Sequence, residues 1–217
     1  MNYSEALSFT FQDKDWLKKM AIGGLIAFIS FYCGLFFIFG FPLVGYYVGV
    51  IRNVVKGEEQ PLPDWADMSK IFVDGILGGI IFLVYFVVIG GICALLIVSV
   101  ANQYMPDHEK ALLITLISVF TLLALTVFIN FGLIQFAATD NFGSAFSLPG
   151  IFQLVKSHLG EFLAISMFSL ILNGILLLAG LGILSPFTNF WGMVIQAHLF
   201  GQCAKAMHPV TTAVQSA

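Results

Sequence analysis

The sequence predicts an all-α fold, a polytopic membrane helix bundle of about six transmembrane or partly re-entrant helices plus two interfacial amphipathic segments. Three observations predict it. First, 59% of the 217 residues are hydrophobic and only 10% are charged, against roughly 25% charged in a typical soluble domain. Such a chain has too few polar residues to coat a water-facing globule, and lipid removes that requirement. Second, the apolar residues gather in intervals long enough to cross a bilayer, separated by short polar breaks. Third, almost all basic residues fall in alternate breaks, the pattern left by short loops held in the cytoplasm.

Residues 2–19 mix Tyr3, Phe9, Phe11 and Trp16 with Glu5, Asp13, Lys14, Lys18 and Lys19, which suits an interfacial segment. Asp13 is placed to cap a helix that enters the membrane near Trp16. Residues 20–56 are then apolar except for Arg52, Asn53 and Lys56 at the end. As one helix, Met20 to Val55 would reach about 54 Å, well beyond a hydrocarbon core of roughly 30 Å. The segment is therefore read as a helical hairpin. Gly40-Phe41-Pro42 is the favoured break and Tyr32-Cys33-Gly34 the second.

Residues 57–70 form a cytoplasmic loop that carries Glu58, Glu59, Pro61, Pro63, Asp64, Trp65 and Asp67. A central hairpin follows over 71–138, turning at Asn102 to Glu109. After a break at Thr139 to Gly143, residues 144–158 read as an interfacial helix. Its apolar stripe is Ile151, Phe152, Val155 and Leu159, with Gln153, Lys156 and Ser157 opposite. A C-terminal hairpin occupies 160–205, broken at Ser185-Pro186, and the tail from Pro209 reads as loose. The whole chain, 1–217, is thus expected to form a single integral membrane domain.

With six crossings, Lys14, Lys18, Lys19, Arg52, Lys56, Lys70, Lys156 and Lys205 fall on one side and only Lys110 on the other. That side is cytoplasmic by the positive-inside rule. Both termini then lie in the cytoplasm and the compartment is the cell (inner) membrane. No cleavable signal peptide is evident. The expected topology and interface anchors are Trp16, Lys18, Lys19, Arg52, Lys56, Pro61, Pro63 and Trp65. A faint repeat relates Ser4 to Phe9 and the hairpin after it with Ser144 to Leu148 and the last hairpin.

Little in the apolar intervals can do chemistry. Asn130, Asn173, Asn189 and His198 are the candidates for a polar path, and among them only His198 titrates. Its plainer reading is an interhelical hydrogen bond. Gly23, Gly24, Gly45, Gly49, Gly78 and Gly79 are candidate helix-packing positions, because small residues let backbones approach closely. The acidic loop residues Asp64, Asp67 and Asp74 could serve acid–base work, but helix capping and solvation explain them more simply. Cys33, Cys93 and Cys203 are scattered, with no paired spacing and no histidine at a ligand interval. No catalytic, cofactor or metal site is read from the sequence, and no nucleotide-binding or zinc-protease motif occurs. The net charge of -3 gives no reason to expect a nucleic-acid partner.

Several stretches fall in the order of a known family: Phe9 to Lys19, Ile22 to Gly24, Gly45-Tyr46, Ile51 to Glu58, Pro61 to Trp65, Phe72 to Gly75, Phe142 to Phe146 and His198 to Gln202. Together they resemble the prokaryotic membrane proteins grouped as domain of unknown function forty-thirteen. Lys14 departs from a position where that family often has proline, and the interval from Gly24 to Gly45 is longer than usual. The resemblance implies membrane placement and brings no catalytic residue. The expected role is a non-catalytic accessory, scaffold or assembly component whose partners are membrane lipids and a homo-oligomer or larger membrane complex. A channel or facilitator for a small solute or lipid is the alternative, and a membrane enzyme using the acidic loop the second.

Overall fold

Turn and capping chemistry divides the chain into helices. The computed structural model describes residues 1–34 and 36–207, without the side chains of 36–38, 153, 154 and 207. The tail from Pro209 and the Gln153 side chain lie outside the described residues. Among those described, every regular element is helical: α1 (Tyr3–Ser8), α2 (Trp16–Tyr32), α3 (Phe36–Lys56), α4 (Met68–Ala101), α5 (Asp107–Thr139), α6 (Leu148–Ala179) and α7 (Ser185–Met207), with short 3-10 turns at Phe9–Gln12, Trp65–Asp67 and Phe142–Phe146.

The first hairpin turns at Cys33-Gly34, and Pro42 lies inside α3. This corrects the favoured break at Pro42. Gly34 adopts φ +66, a conformation open to glycine at no steric cost. Proline is locked near φ of about −65°, which fits a helix and cannot supply the positive φ used at this turn. Residues 144–158 end at a break in the helix, because α6 is two helices joined across a kink at His158. They comprise the end of a 3-10 turn and the first of those two helices, with His158 at φ −128, ψ 16. The expected stripe divides there: Ile151 is buried, whereas Phe152 and Leu159 are exposed.

Helices α3 and α7 form the centre. α3 packs against α2, α4, α5 and α7, and α7 against α1, α2, α3, α5 and α6. α2 rests on α7, but α6 makes no comparable contact with α3, so the two outer hairpins pack differently. The core sits towards one end of the long hairpin. Ile71 to Tyr85 on α4 and Phe131 to Ala137 on α5 supply its buried residues, and no residue from 86 to 130 is buried. Leu95 is 71% exposed and Phe120 69%. The distal half of the α4–α5 hairpin is therefore apolar and largely uncovered.

Length and apolar composition mark three stretches able to cross a membrane among the described residues: Trp65–Ala101, Asp107–Thr139 and Val155–Ala179. The expected count of about six is not reached on this measure. α2 has only 17 residues, the short end of the range for a span, and α7 carries Asn189, Gln196, His198, Gln202 and Lys205.

The packing glycines work within the chain. A methyl group at Gly45 would lie 1.7 Å from the Ile71 carbonyl oxygen, and one at Gly75 would lie 1.9 Å from that of Phe41. Helices α3 and α4 thus meet backbone to backbone, close enough for Cα–H···O contacts. Gly78 faces Val44, Gly79 faces the Phe41 ring, and Gly49 faces Pro63. Gly23 and Gly24 receive the rings of Phe190 and Phe187, which seats α2 on α7. Gly90 has open space around it. Gly75→Ala should therefore cost stability at or above the upper end of the ~1–3 kcal/mol typical of overpacking. Gly90→Ala should be neutral or gain up to about 1 kcal/mol from helix propensity. Thermal unfolding of both variants in detergent, read by loss of the monodisperse chromatographic peak, checks the contrast.

Candidate functional site

One of two groups of buried charge lies where α3 ends and α4 begins, beside the end of α5. Arg52, on the penultimate turn of α3, is 3% exposed. A guanidinium there needs anionic partners, because an unpaired buried charge is very costly. Its fork meets the Asp74 carboxylate of α4, with Nη2 donating to Oδ1 at 3.1 Å and Nη1 to Oδ2 at 2.5 Å. Its Nε makes an ion-pair contact with Asp140 just past α5, and Lys56 Nζ lies 3.5 Å from the other Asp140 oxygen. Asp140 reaches this position by taking a left-handed conformation, φ 52, where α5 stops. The Phe136 ring covers the guanidinium carbon at 5.7 Å. Two cations thus face two carboxylates.

A second buried pair closes the polar loop over the bundle. Lys19 Nζ donates to Asp13 Oδ2 at 2.7 Å and to the Leu62 carbonyl at 2.9 Å. The Asp13 carboxylate also accepts from the Asp15 amide, and its carbonyl from that of Trp16, so Asp13 shapes the entry to α2 from outside the cap position. Trp65 Nε1 donates to the Lys19 carbonyl at 2.9 Å while its ring stacks on Tyr46 at 4.6 Å. The Asn53 amide holds the Pro61 carbonyl.

These contacts alter how the anchors are placed. Arg52, Lys19, Pro61 and Trp65 are buried structural parts, Pro63 packs on Gly49, and Trp16 is half-buried against Phe11. Lys18 and Lys56 are exposed. The acidic loop does not converge: Asp74 is held by Arg52, Asp64 accepts from the Ala66 amide, and Asp67 is exposed and makes no side-chain cap. The N-terminal segment likewise packs inward. Phe9 is buried and stacks on His198 at 4.1 Å, and the Asn2 amide donates to Gln202 Oε1 at 2.8 Å.

The polar-path residues stay apart. Asn130, Asn173 and Asn189 each donate their amide to the carbonyl four residues back, of Thr126, Ser169 and Ser185. His198 lies 3.2 Å from the Gln202 amide nitrogen. Among the described residues no hydrogen bond joins any two of the four. A polar cleft of about 490 Å³ opens beside His198, between Glu5, Glu58, Gln202 and Lys205.

One set of metal-type ligands does meet. His158 and Glu161 on α6 face Cys203 on α7, with ligand atoms all within 4.8 Å of one another. The sequence signal was the i, i+3 spacing of His158 and Glu161, which places both on one helix face. Cys203 lies too far along the chain for any spacing rule to join it to them.

A family model described as "Protein of unknown function (DUF4013)" matches residues 28–185. The chain belongs to that family. The stretches 9–24 and 198–202, which carried part of the resemblance, lie outside the matched range. No curated protein and no solved structure matches the chain.

The two Arg52 partners differ in burial, with side-chain exposures of 10% for Asp74 and 51% for Asp140. Asp74→Asn should cost about 3–5 kcal/mol, the loss for breaking a buried pair. Asp140→Asn should cost no more than about 1 kcal/mol because solvent screens that carboxylate. Chemical denaturation in mixed micelles distinguishes the two, and equal losses would contradict the assignment of Asp74 as the principal partner.

Proposed function

We propose that the chain is a multi-pass protein of the cell (inner) membrane, crossing six times with both termini in the cytoplasm, and that it serves as a non-catalytic accessory or assembly component. The observation that carries this reading is the α4–α5 hairpin. Its distal half presents Leu95, Phe120, Leu122 and their neighbours outward with no buried residue between 86 and 130. Exposed apolar surface on that scale marks a membrane or protein contact. Support for the orientation comes from the opposite end. The Lys205 ammonium lies 3.1 Å from where a side chain at Gly57 would begin, and Arg52 and Lys56 share Asp140, so these basic residues gather together. The far end holds the turns of the outer hairpins, where the Tyr32 hydroxyl donates to the Gly182 carbonyl.

The accessory role rests on how the polar groups are used. Arg52, Asp74, Lys19 and Asp13 are engaged with one another or with backbone, which leaves them as structural parts. Single cysteines placed at Glu58 and Tyr104 in a chain whose native cysteines are replaced should react with a membrane-impermeant maleimide from opposite sides of spheroplasts. Labelling of both from the outside would refute the threading. Purification of tagged full-length protein in mild detergent should recover a homo-oligomer or a reproducible membrane partner. A lone monomer under those conditions would count against the accessory role.

A further inference from the structure

We infer that His158, Glu161 and Cys203 form a binding site for a late first-row divalent cation, Zn²⁺ by preference, that joins α6 to α7 at the bend of α6. The three residues bring three donor types to one point. His158 Nδ1 and Glu161 Oε2 are 3.0 Å apart, and Cys203 Sγ is 3.6 Å from the same oxygen. Bonds of about 2.0–2.3 Å in a tetrahedral site place neighbouring donors roughly 3.3–3.8 Å apart. The two separations lie at or near that spacing without an ion present, and all three donor atoms lie within 4.8 Å of one another.

The donor chemistry selects the cation. A thiolate with an imidazole suits zinc and other late transition metals, whereas Mg²⁺ and Ca²⁺ favour oxygen alone. A bound Zn²⁺ takes the Cys203 thiol as thiolate and releases its proton to solvent. With the Glu161 carboxylate, two negative ligands then balance the dication. The fourth position is open to water, since half of the Glu161 side chain is exposed.

Two independent features support the placement. Cys203 is 1% exposed, so its sulfur lies in a fixed position. The helical backbone of α6 is interrupted at His158 itself, φ −128, so the one non-helical residue of that helix is a ligand. An ion there would fix the first turns of α6 relative to α7. In the absence of an ion, the same atoms make a histidine–carboxylate pair with a thiol on its carboxylate.

Full-length protein in mild detergent, stripped with a chelator and titrated with Co²⁺, tests the site. Wild type should develop thiolate-to-cobalt charge-transfer absorption, which Zn²⁺ displaces. Cys203→Ser should abolish that band, whereas Cys33→Ser and Cys93→Ser should keep it. His158→Ala and Glu161→Gln should each weaken Co²⁺ binding at least tenfold. Glu161→Gln alters a half-exposed group, so its readout survives if Cys203→Ser fails to fold. No band in wild type at excess Co²⁺, a band retained in Cys203→Ser, or unchanged affinity in both other variants would overturn the site and leave a hydrogen-bonded cluster only.

Discussion

The buried Arg52 guanidinium is the constraint around which the rest is arranged. Taking that charge out of water costs several kcal/mol, and its pairing with Asp74 and Asp140 offsets the loss without a guaranteed net gain. What the pairing supplies is position. Asp74 belongs to α4 and Asp140 follows α5, so one side chain of α3 sets where both long helices stand. The geometry requires close approach of α3 and α4, and the adjacent glycine provides it. Gly75 follows Asp74 directly and lets the Phe41 carbonyl come against the α4 backbone, while Gly45 does the same from α3. A larger residue at either position would separate the helices and strand the ion pair.

The polar loop depends on a similar arrangement. Lys19 is buried because three acceptors or donors meet it: the Asp13 carboxylate, the Leu62 carbonyl and, through its own carbonyl, the Trp65 indole. The loop is thereby folded onto α2 and α3, with Leu62 and Trp65 as apolar contacts beneath it. Its exposed residues, including Glu58, Glu59 and Asp67, keep their charges in water.

The helical class and the family were legible because composition and hydropathy act over tens of residues and average out local error. The site was less legible. Arg52 and Asp74 are visible as charges in an apolar chain, but a single sequence does not show that they face each other. Arg52 therefore read as an anchor at the interface and Asp74 as part of an acidic loop. Trp65 carries a related ambiguity: an aromatic ring beside charges suits the membrane interface, yet it also suits a plug stacked on Tyr46. In the first hairpin the sequence offers both a proline and a glycine as the break, and the chain reverses at the glycine. What the reversal required was a positive φ, which Gly34 supplies and Pro42 cannot.

The molecule therefore divides its chemistry by position. Near one end, carboxylates, cations, a histidine and a thiol are held within a few helical turns by α3, α6 and α7. Beyond that region the shaft of the α4–α5 hairpin offers almost only hydrocarbon up to its charged tip at Asp107 to Lys110. An apolar cleft of about 320 Å³ between its helices, lined by Ile92, Leu96, Leu116 and Phe120 among others, has scarcely a polar atom on its surface. Such a surface can discriminate by shape and by apolar contact, not by hydrogen bonding or charge. Acyl chains and apolar helices meet that condition. Ions, nucleotides and polar solutes do not.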